Sequence, residues 1–361
     1  MLLTDIVAPC LILASSMLSL EYMELIKYNS SDIVFGLNIS TWRFSINQNT
    51  YLQSNLNIKI FNGTLNCNHC NYTARNYKSD STPRDLLITG ASKKTENLNL
   101  LLRTLRHTGC KCTVAILLDE EALQSLTKDM ILDIELCGGQ IINMGKPEYT
   151  MENNHYTNVY LWTYYIAKRN YHRFDRIMKV DMFDTLFQGD PFSSTIEPSK
   201  FYMIDEARKM FYNAYHYILM DLGIKPKSDE SLICSGIAFG DSETFTRALD
   251  VYFKYFIWHK KWFDQHVFNV LYTYDLYKYH NVDLVELRPN ETIRHLYAYR
   301  TDGEIGTITG IFDNNNYATV IHHTHVAPIL LESMNKYCPN NNPEIKNYVT
   351  KFRNSSSPPR S

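Results

Sequence analysis

Two aspartates, Asp181 and Asp184, follow an apolar run in the middle of the chain. The run at 176–180, Arg-Ile-Met-Lys-Val, is typical of a short buried strand that ends where the acids begin. Open α/β sheets bind ligands at the carboxyl ends of their strands, where paired carboxylates can hold a divalent cation against a phosphate. An aspartate at this place can instead attack a phosphate as a nucleophile. A surface turn with two solvated acids is the third interpretation, and the two residues alone do not decide among the three.

Short strands and helices alternate before these acids. The apolar patterns predict strands at 86–89, 113–118 and 140–144, and helices at 95–107, 120–136 and 156–169. This alternation predicts a parallel sheet with right-handed crossovers, in which the loop at 90–93 lies at the same edge as Asp181. The first strand is not followed by G-x-G-x-x-G, so the sequence does not support a nicotinamide cofactor.

The second half of the chain supplies further polar residues at the ends of predicted elements. It predicts strands at 200–206, 231–240 and 317–325, with helices at 211–222 and 241–259. Small residues at 234–236, Cys-Ser-Gly, interrupt the second of these strands, and small residues let a ligand approach the backbone closely. Asp264 stands at a helix start, where N-capping is its simplest role. The last strand ends in His322, His323 and His325, one of which would be a further metal ligand.

Composition limits the classes of partner. The chain has 361 residues and a formal net charge of -2, which suits one large α/β domain with additions and gives no basic surplus for nucleic acid. Of eight cysteines, Cys67 and Cys70 have C-x-x-C spacing without a second such pair, so we do not expect zinc. In an oxidising compartment we expect Cys67 or Cys70 to bridge to Cys110 or Cys112.

The first residues bear on the compartment. An apolar run at 6–20 is shorter than the roughly 20 residues of a membrane span and predicts a signal peptide or single-pass signal anchor at 1–25. Asp5 stands where a basic residue is expected, which leaves a buried helix open as the alternative. Four N-x-S/T sequons before residue 75 predict a lumenal stem at 26–82, and therefore a secreted or type II membrane protein of the secretory pathway, such as the Golgi lumen. A main domain at 83–338 and a disordered tail at 339–361 complete the expected organisation.

The order of the motifs resembles nucleotide-diphospho-sugar glycosyltransferases of the GT-A fold. The motifs are the two acids after a strand, FQGDPF at 187–192, Cys-Ser-Gly at 234–236, Asp-Gln at 264–265 with Asn269, and a late strand ending in His322. The resemblance implies an α/β GT-A (Rossmann-like) fold with a mixed, mainly parallel sheet flanked by helices. It makes 83–338 a GT-A-like catalytic domain that transfers sugar from a UDP- or GDP-sugar donor to a hydroxyl of a glycan or protein acceptor.

The resemblance also implies roles for individual residues. A Mn²⁺ or Mg²⁺ ion would be held by Asp181, Asp184 and His322. Thr89, Ala91 and Ser92 stand where the nucleotide base is held, and Ser235, Gly236, Asp264 and Gln265 stand where donor sugar and acceptor meet. Asp264 would act as the base on an acceptor hydroxyl in an inverting enzyme, whereas a retaining enzyme needs no such base. The family usually spaces its acids D-x-D, whereas this chain has D-x-x-D.

Two other functions stay open. The segment 181–186 resembles the first motif of haloacid-dehalogenase-type phosphatases, with Asp181 as nucleophile, Thr185 as phosphate ligand and Gly240-Asp241 as the late acidic motif. That motif normally opens its domain, whereas three strand-helix units precede it here, and phosphatase chemistry does not require FQGDPF. A sugar-nucleotide-binding protein without catalysis is the third alternative.

Overall fold

Ten strands carry the architecture of the computed structural model, which describes residues 56–67, 70–72, 74, 80–147, 155–192, 196–209, 231–256, 264–273, 275–287, 293–295, 318–322 and 337–339. The strands are β1 (Asp85–Ala91), β2 (Thr113–Leu118), β3 (Gly139–Asn143), β4 (Arg176–Asp181), β5 (Thr185–Phe187), β6 (Lys200–Lys209), β7 (Ser231–Asp241), β8 (Asp283–Leu287), β9 (Ile293–His295) and β10 (Val320–His322). The helices are α1 (Leu98–His107), α2 (Glu120–Gln124), α3 (Lys128–Leu136), α4 (His155–Asn170), α5 (Ser242–Tyr255), α6 (Asp264–Thr273) and α7 (Leu276–Tyr279), and a 3₁₀ turn at Tyr171–Arg173 follows α4.

The main sheet has seven strands in the order β3-β2-β1-β4-β7-β6-β8. Strands β1 to β4 pair in parallel, and β7 runs antiparallel to both of its neighbours. Strand β8 pairs in parallel with β6, so among the described strands of this sheet only β7 runs against the others. The prediction of a mixed, mainly parallel, Rossmann-like sheet flanked by helices is therefore confirmed.

Both faces of this sheet are covered, as its continuous apolar strands require. Leu86 and Ile88 of β1 pack into a cluster with α4, α5 and α6, whereas Leu87 packs into a second cluster with α1 on the other face. The largest fully buried side chain, Trp162, lies in the first of these clusters. The alternation along β1 thus places one helical layer on each side of the sheet.

Two predicted elements differ from the structure. The helix predicted at 120–136 is broken into α2 and α3, because Thr127 leaves the helix and accepts the Met130 amide at 3.2 Å as the N-cap of α3. The second is the run at 57–61 in the predicted stem, Asn-Ile-Lys-Ile-Phe, whose alternation could form a strand but which is irregular instead. The backbone of Lys59 is bonded to the Gln140 side-chain amide, at 3.0 and 2.6 Å, rather than to a neighbouring strand.

The disulfide prediction is wrong. Cys67 bonds to Cys137 and Cys70 bonds to Cys338, whereas Cys110 and Cys112 are buried free thiols. Cys67 reaches Cys137 because the preceding residue donates a 3.1 Å backbone hydrogen bond to the end of α3. Both observed partners lie far along the chain, where spacing in the sequence says nothing about proximity.

Several predictions fall on residues outside the described ranges. They are the signal segment at 1–25, most of the stem at 26–82, the helix at 211–222, His323 and His325, and the tail from 340 onward. Among the helices that the structure does describe, none has both the length and the apolar character that a membrane span requires.

Asn269 ties α6 to β7 through its buried side-chain amide. The Oδ1 atom accepts from the Ile233 amide at 2.8 Å, while Nδ2 donates to the carbonyls of Ile233 at 2.9 Å and Gln265 at 2.8 Å. Asn269→Ala removes the partner of the Ile233 amide and carbonyl, so we expect it to lower the free energy of unfolding by about 2–3 kcal/mol in urea titrations. The exposed control Asn66→Ala, which lies outside the sequons, should stay within about 0.5 kcal/mol of wild type. Equal stability of the two variants would show that Asn269 does not dock the helix.

Candidate metal centre and active site

The carboxyl end of β4 brings Asp181 to the centre of one sheet edge. Asp181 pairs with Gly90 of β1, and the preceding Val180 pairs with Ile237 of β7. The chain then turns and enters β5 directly after Asp184. The loop at 90–93 therefore starts at the same edge as Asp181, as predicted.

A second, three-stranded sheet supplies the other two candidate ligands. Its order is β5-β10-β9, and in the antiparallel β5–β10 pair Thr185 lies opposite His322. Asp184 precedes Thr185 by one residue, so this register sets Asp184 and His322 side by side. The His322 Nδ1 atom lies 3.4 Å from Asp184 Oδ1 and 3.3 Å from the Thr185 hydroxyl.

The three predicted metal ligands converge. One carboxylate oxygen from each of Asp181 and Asp184 and one ring nitrogen of His322 all lie within 4.8 Å of one another. Their side chains are 20%, 12% and 4% exposed, respectively, so solvent still reaches the two carboxylates while the imidazole is buried. Two carboxylates and one imidazole are a donor set that suits Mn²⁺ or Mg²⁺, and these residues could hold either ion.

Gly236 makes room for this group. A Cβ atom at this position would lie 2.0 Å from His322 Nε2 and 3.0 Å from Asp181 Oδ2. The pairing of β6 with β7 shifts at this point, because Met203 pairs with Ala238 but the next residue pairs with Cys234. The interruption predicted at 234–236 is thus a bulge that lets the backbone of β7 lie directly against the candidate ligands.

Lys179 is a central residue of this site that sequence analysis missed. Its buried ammonium lies 2.5 Å from Asp181 Oδ1, 3.1 Å from the Ser235 carbonyl and 4.3 Å from the centre of the Tyr160 ring. A buried ammonium is stable only when it is paired, and these contacts supply the pairing. The contact with Oδ1 leaves Asp181 Oδ2 on the side of Gly236 and His322. The signal in the sequence was a single charged residue inside an apolar strand.

Asp264 is buried in the same region. Asp264 is the first residue of α6, and its carboxylate accepts hydrogen bonds from the Gln265 amide and the Ser235 side chain. Burial raises the pKa of Asp264 above its ordinary value, the positive charge of Lys179 opposes the rise, and the negative charge of Asp181 adds to it. The contact with Ser235 links Asp264 to the bulge, so this carboxylate does more than cap a helix.

Two further residues around the site were not predicted. Glu206 is a buried acid near the bulge, and its Oε1 atom accepts from the Gln265 side-chain amide at 2.7 Å. Tyr156 is 49% exposed, and partial desolvation followed by the charges of Asp181, Asp184 and Asp264 raises its pKa. Its phenol therefore lies within electrostatic reach of all three aspartates. No pattern in the sequence distinguishes Tyr156 from the other tyrosines of its helix.

The predicted nucleotide-binding residues lie at the same edge but are largely buried. The hydroxyl of Thr89 donates to the Val180 carbonyl at 3.0 Å, and that of Ser92 donates to Asp119 at 2.5 Å. Ala91 is 1% exposed. These side chains support the edge of the sheet, and their role in holding a base stays a prediction.

Comparison of the sequence with protein-family models and with curated proteins finds no match. Among solved structures, the crystal structure of mouse xyloside xylosyltransferase 1 in its apo form is similar to this chain, with a TM-score of 0.42 and 13% sequence identity. The similarity covers 68% of this chain and 99% of that one. A TM-score and a sequence identity this low are not grounds for assigning that protein's activity to this chain. The function therefore has to be argued from the side chains at the sheet edge.

Gly236→Ala should abolish Mn²⁺ binding while the protein stays folded. The new methyl group must displace His322 or the β7 backbone, because it would otherwise lie 2.0 Å from Nε2. Mn²⁺ binding can be followed by electron paramagnetic resonance. Gly240→Ala is the matched control on the same strand, since its Cβ would meet the Lys200 carbonyl at 2.5 Å, far from the ligands. It should lower stability and leave Mn²⁺ affinity unchanged, and tight Mn²⁺ binding by Gly236→Ala would refute the packing argument.

The buried carboxylate of Asp264 should make stability depend on pH. Its pKa lies above the ordinary value of 3.8, so the folded protein keeps a proton that the unfolded chain has lost, and stability falls as pH rises through that window. Asp264→Asn removes the charge, so we expect a higher Tm than wild type at neutral pH and a gap that closes below about pH 4.

This comparison requires Tm measurements in EDTA from about pH 4 to about pH 7.5. Exposed Asp129→Asn should show no such pH-dependent gap. A wild-type protein that matches or exceeds Asp264→Asn in Tm at neutral pH would contradict the burial argument.

Proposed function

We propose that this protein is a metal-dependent glycosyltransferase of the GT-A type that moves a sugar from a UDP- or GDP-sugar to a hydroxyl of a glycan or protein. The observation that carries the proposal is the convergence of Asp181, Asp184 and His322 at the carboxyl edge of a mainly parallel sheet. The motif order, with FQGDPF directly after the acids, supports the same activity.

The three converging residues could hold a cation that neutralises the leaving group of this reaction. A departing nucleoside diphosphate carries negative charge, and a divalent cation held by Asp181, Asp184 and His322 would offset it as the glycosidic bond breaks. Lys179 holds Asp181 by one oxygen and keeps the other directed to the side of His322. The bulge at Gly236 lets a ligand approach the backbone of β7 closely.

Asp264 and Gln265 are proposed as the residues next to the reacting sugar. A carboxylate whose pKa is raised by burial is a better proton acceptor near neutral pH than an exposed one. In an inverting enzyme Asp264 would take the proton of the acceptor hydroxyl, while Gln265, fixed by Glu206, would hold a sugar hydroxyl. Tyr156 offers a partly exposed ring at the rim, where an aromatic face can stack on a sugar.

The phosphatase alternative receives no support from the positions of its motif residues. Asp241 pairs with Arg176 at the start of β4, five residues before Asp181, which separates the two acids by roughly 16 Å. Asp241 also accepts the Thr244 amide at 3.0 Å as the N-cap of α5. The buried hydroxyl of Thr185 is directed to His322. These residues do not form one phosphate site.

We also propose that the protein works in the secretory pathway, in the Golgi lumen or after secretion. Two disulfides are typical of an oxidising compartment, and the sequons and the apolar run at 6–20 agree with it.

Asp184→Asn should remove catalysis without unfolding the protein. Wild type is expected to release nucleoside diphosphate from at least one UDP- or GDP-sugar in the presence of Mn²⁺, and EDTA should stop the release. Asp184→Asn should lower the rate about 100-fold or more, because it removes a charged ligand oxygen. Asp250→Asn, which alters an acid paired with Lys168 at 2.7 Å, is the control.

Full Mn²⁺-dependent turnover by Asp184→Asn would refute the metal assignment. Nucleotide-sugar binding without turnover by wild type would favour the non-catalytic alternative. A phosphatase would instead show a covalent phosphate on Asp181 in mass spectra, together with turnover of phosphate esters.

A further inference from the structure

The three candidate ligands belong to two different sheets. Asp181 ends β4 of the seven-stranded sheet, whereas Asp184 precedes β5 and His322 ends β10 of the three-stranded sheet. Metal affinity depends on how closely the ligand atoms converge. In this protein that convergence depends on the position of the three-stranded sheet relative to the seven-stranded sheet. A contact that fixes the small sheet can therefore control the site without touching it.

Two short segments, which we call the clamp, are joined to each other beside the small sheet. The clamp consists of residues 70–72 and 337–339. The Cys70–Cys338 disulfide connects its halves across a sequence separation of 268 residues. The Asn71 amide also donates to the Tyr337 carbonyl at 2.6 Å. These contacts make the two halves of the clamp one unit.

The clamp is fastened to α1. The Arg103 guanidinium donates to the Pro339 carbonyl at 2.6 Å and forms an ion pair of 2.7 Å with Asp133 of α3. His107, at the end of α1, shares a hydrogen bond of 2.5 Å with the Tyr72 carbonyl. Since α1 packs directly on the seven-stranded sheet, the clamp is anchored to the part of the fold that carries Asp181.

The clamp also holds the strand pair that positions the other two ligands. The Tyr72 hydroxyl donates to the Phe187 carbonyl of β5 at 2.6 Å. A buried apolar cluster joins the clamp to both strands, and its members are Cys70, Tyr72, Leu100, Leu186, Ala318, Ile321 and Cys338. Within it, Leu186 pairs with Ile321, one position from His322. The clamp thus bridges α1 and the β5–β10 pair.

We propose that the clamp positions Asp184 and His322 for metal binding, so that loss of the Cys70–Cys338 bond or of the Tyr72 hydroxyl weakens the metal site. The inference rests on the proposed function, because it takes the three-residue group as a metal site. Without the bond, the two halves of the clamp are held by noncovalent contacts alone. The direct bond from the Phe187 amide to Thr104 of α1, at 3.3 Å, then has to hold β5 with less support from the clamp. Groups that orient metal ligands typically contribute about 10- to 100-fold to metal affinity.

The second disulfide is a matched control. Cys137 lies two residues before Gly139, which begins β3 and pairs with Val114 at the start of β2. The Cys67–Cys137 bond therefore lies towards the amino ends of the parallel strands, whereas Asp181 lies at the carboxyl end of β4. Its removal should destabilise the fold without moving the candidate ligands.

The experiment compares Cys70→Ala/Cys338→Ala with Cys67→Ala/Cys137→Ala. Mn²⁺ dissociation constants are measured by electron paramagnetic resonance well below the Tm of every variant, and Tm is measured separately without metal. Both double variants should have a lower Tm. We expect the clamp variant to bind Mn²⁺ about 10-fold more weakly or worse, and the control to stay within about two-fold of wild type. A purely structural disulfide would lower Tm and leave Mn²⁺ affinity unchanged.

A milder pair of variants covers the case in which the clamp variant does not fold. Tyr72→Phe removes only the hydroxyl that contacts β5 and should weaken Mn²⁺ binding several-fold. Tyr164→Phe, which removes a hydrogen bond of 2.7 Å to Asp250, should leave that binding unchanged. Wild-type Mn²⁺ affinity in every clamp variant that folds would overturn this inference and leave the metal site standing. Absence of Mn²⁺ binding by wild type itself would overturn the proposed function as well.

Discussion

The crowding of negative charge at one sheet edge is the constraint around which this structure is arranged. Asp181 and Asp184 have ligand oxygens within 4.8 Å of each other, and buried Asp264 adds a third charge nearby. Two unit charges at such a separation repel by roughly 3–4 kcal/mol at an effective dielectric constant near 20. Lys179 offsets part of this repulsion from inside the sheet, through its contact with Asp181. A divalent cation on the solvent side would offset more of this repulsion, and its open coordination positions would then accept oxygens of an anionic ligand.

The fold holds these charges together with short-range geometry. Asp181 is fixed by its position in a central strand. Asp184 follows after a short turn that keeps it close to Asp181. His322 arrives from a distant part of the chain through its pairing with Thr185. Gly236 then allows β7 to approach this group, since a side chain at that position would occupy the place of the His322 ring. Each candidate ligand thus depends on a different backbone constraint.

The parts of this arrangement that could be predicted are those with a local signal. The strand at 113–118 and the end of β4 follow from apolar runs bounded by polar residues, and the three candidate ligands were found because each lies at or just beyond the end of a strand. Lys179 was missed because its neighbours mark the strand as buried, while its pairing with Asp181 and Ser235 depends on tertiary structure. The disulfides were mispaired for a related reason.

The smaller errors have one local cause and several non-local ones. The break between α2 and α3 rests on Thr127 acting as a cap, and such a side-chain bond competes with continuation of the helix. The irregular path at 57–61 depends on the Gln140 side chain, which takes the place of a strand neighbour. Glu206 and Tyr156 join the site only because separate elements converge on it.

Anomalous X-ray scattering from crystals soaked with Mn²⁺ and a nucleoside diphosphate tests the central claim most directly. The account predicts one strong manganese peak about 2.0–2.3 Å from oxygens of Asp181 and Asp184 and from a ring nitrogen of His322, with diphosphate oxygens completing its coordination. A nucleotide bound without manganese between these three residues, or a manganese peak elsewhere on the protein, would contradict it.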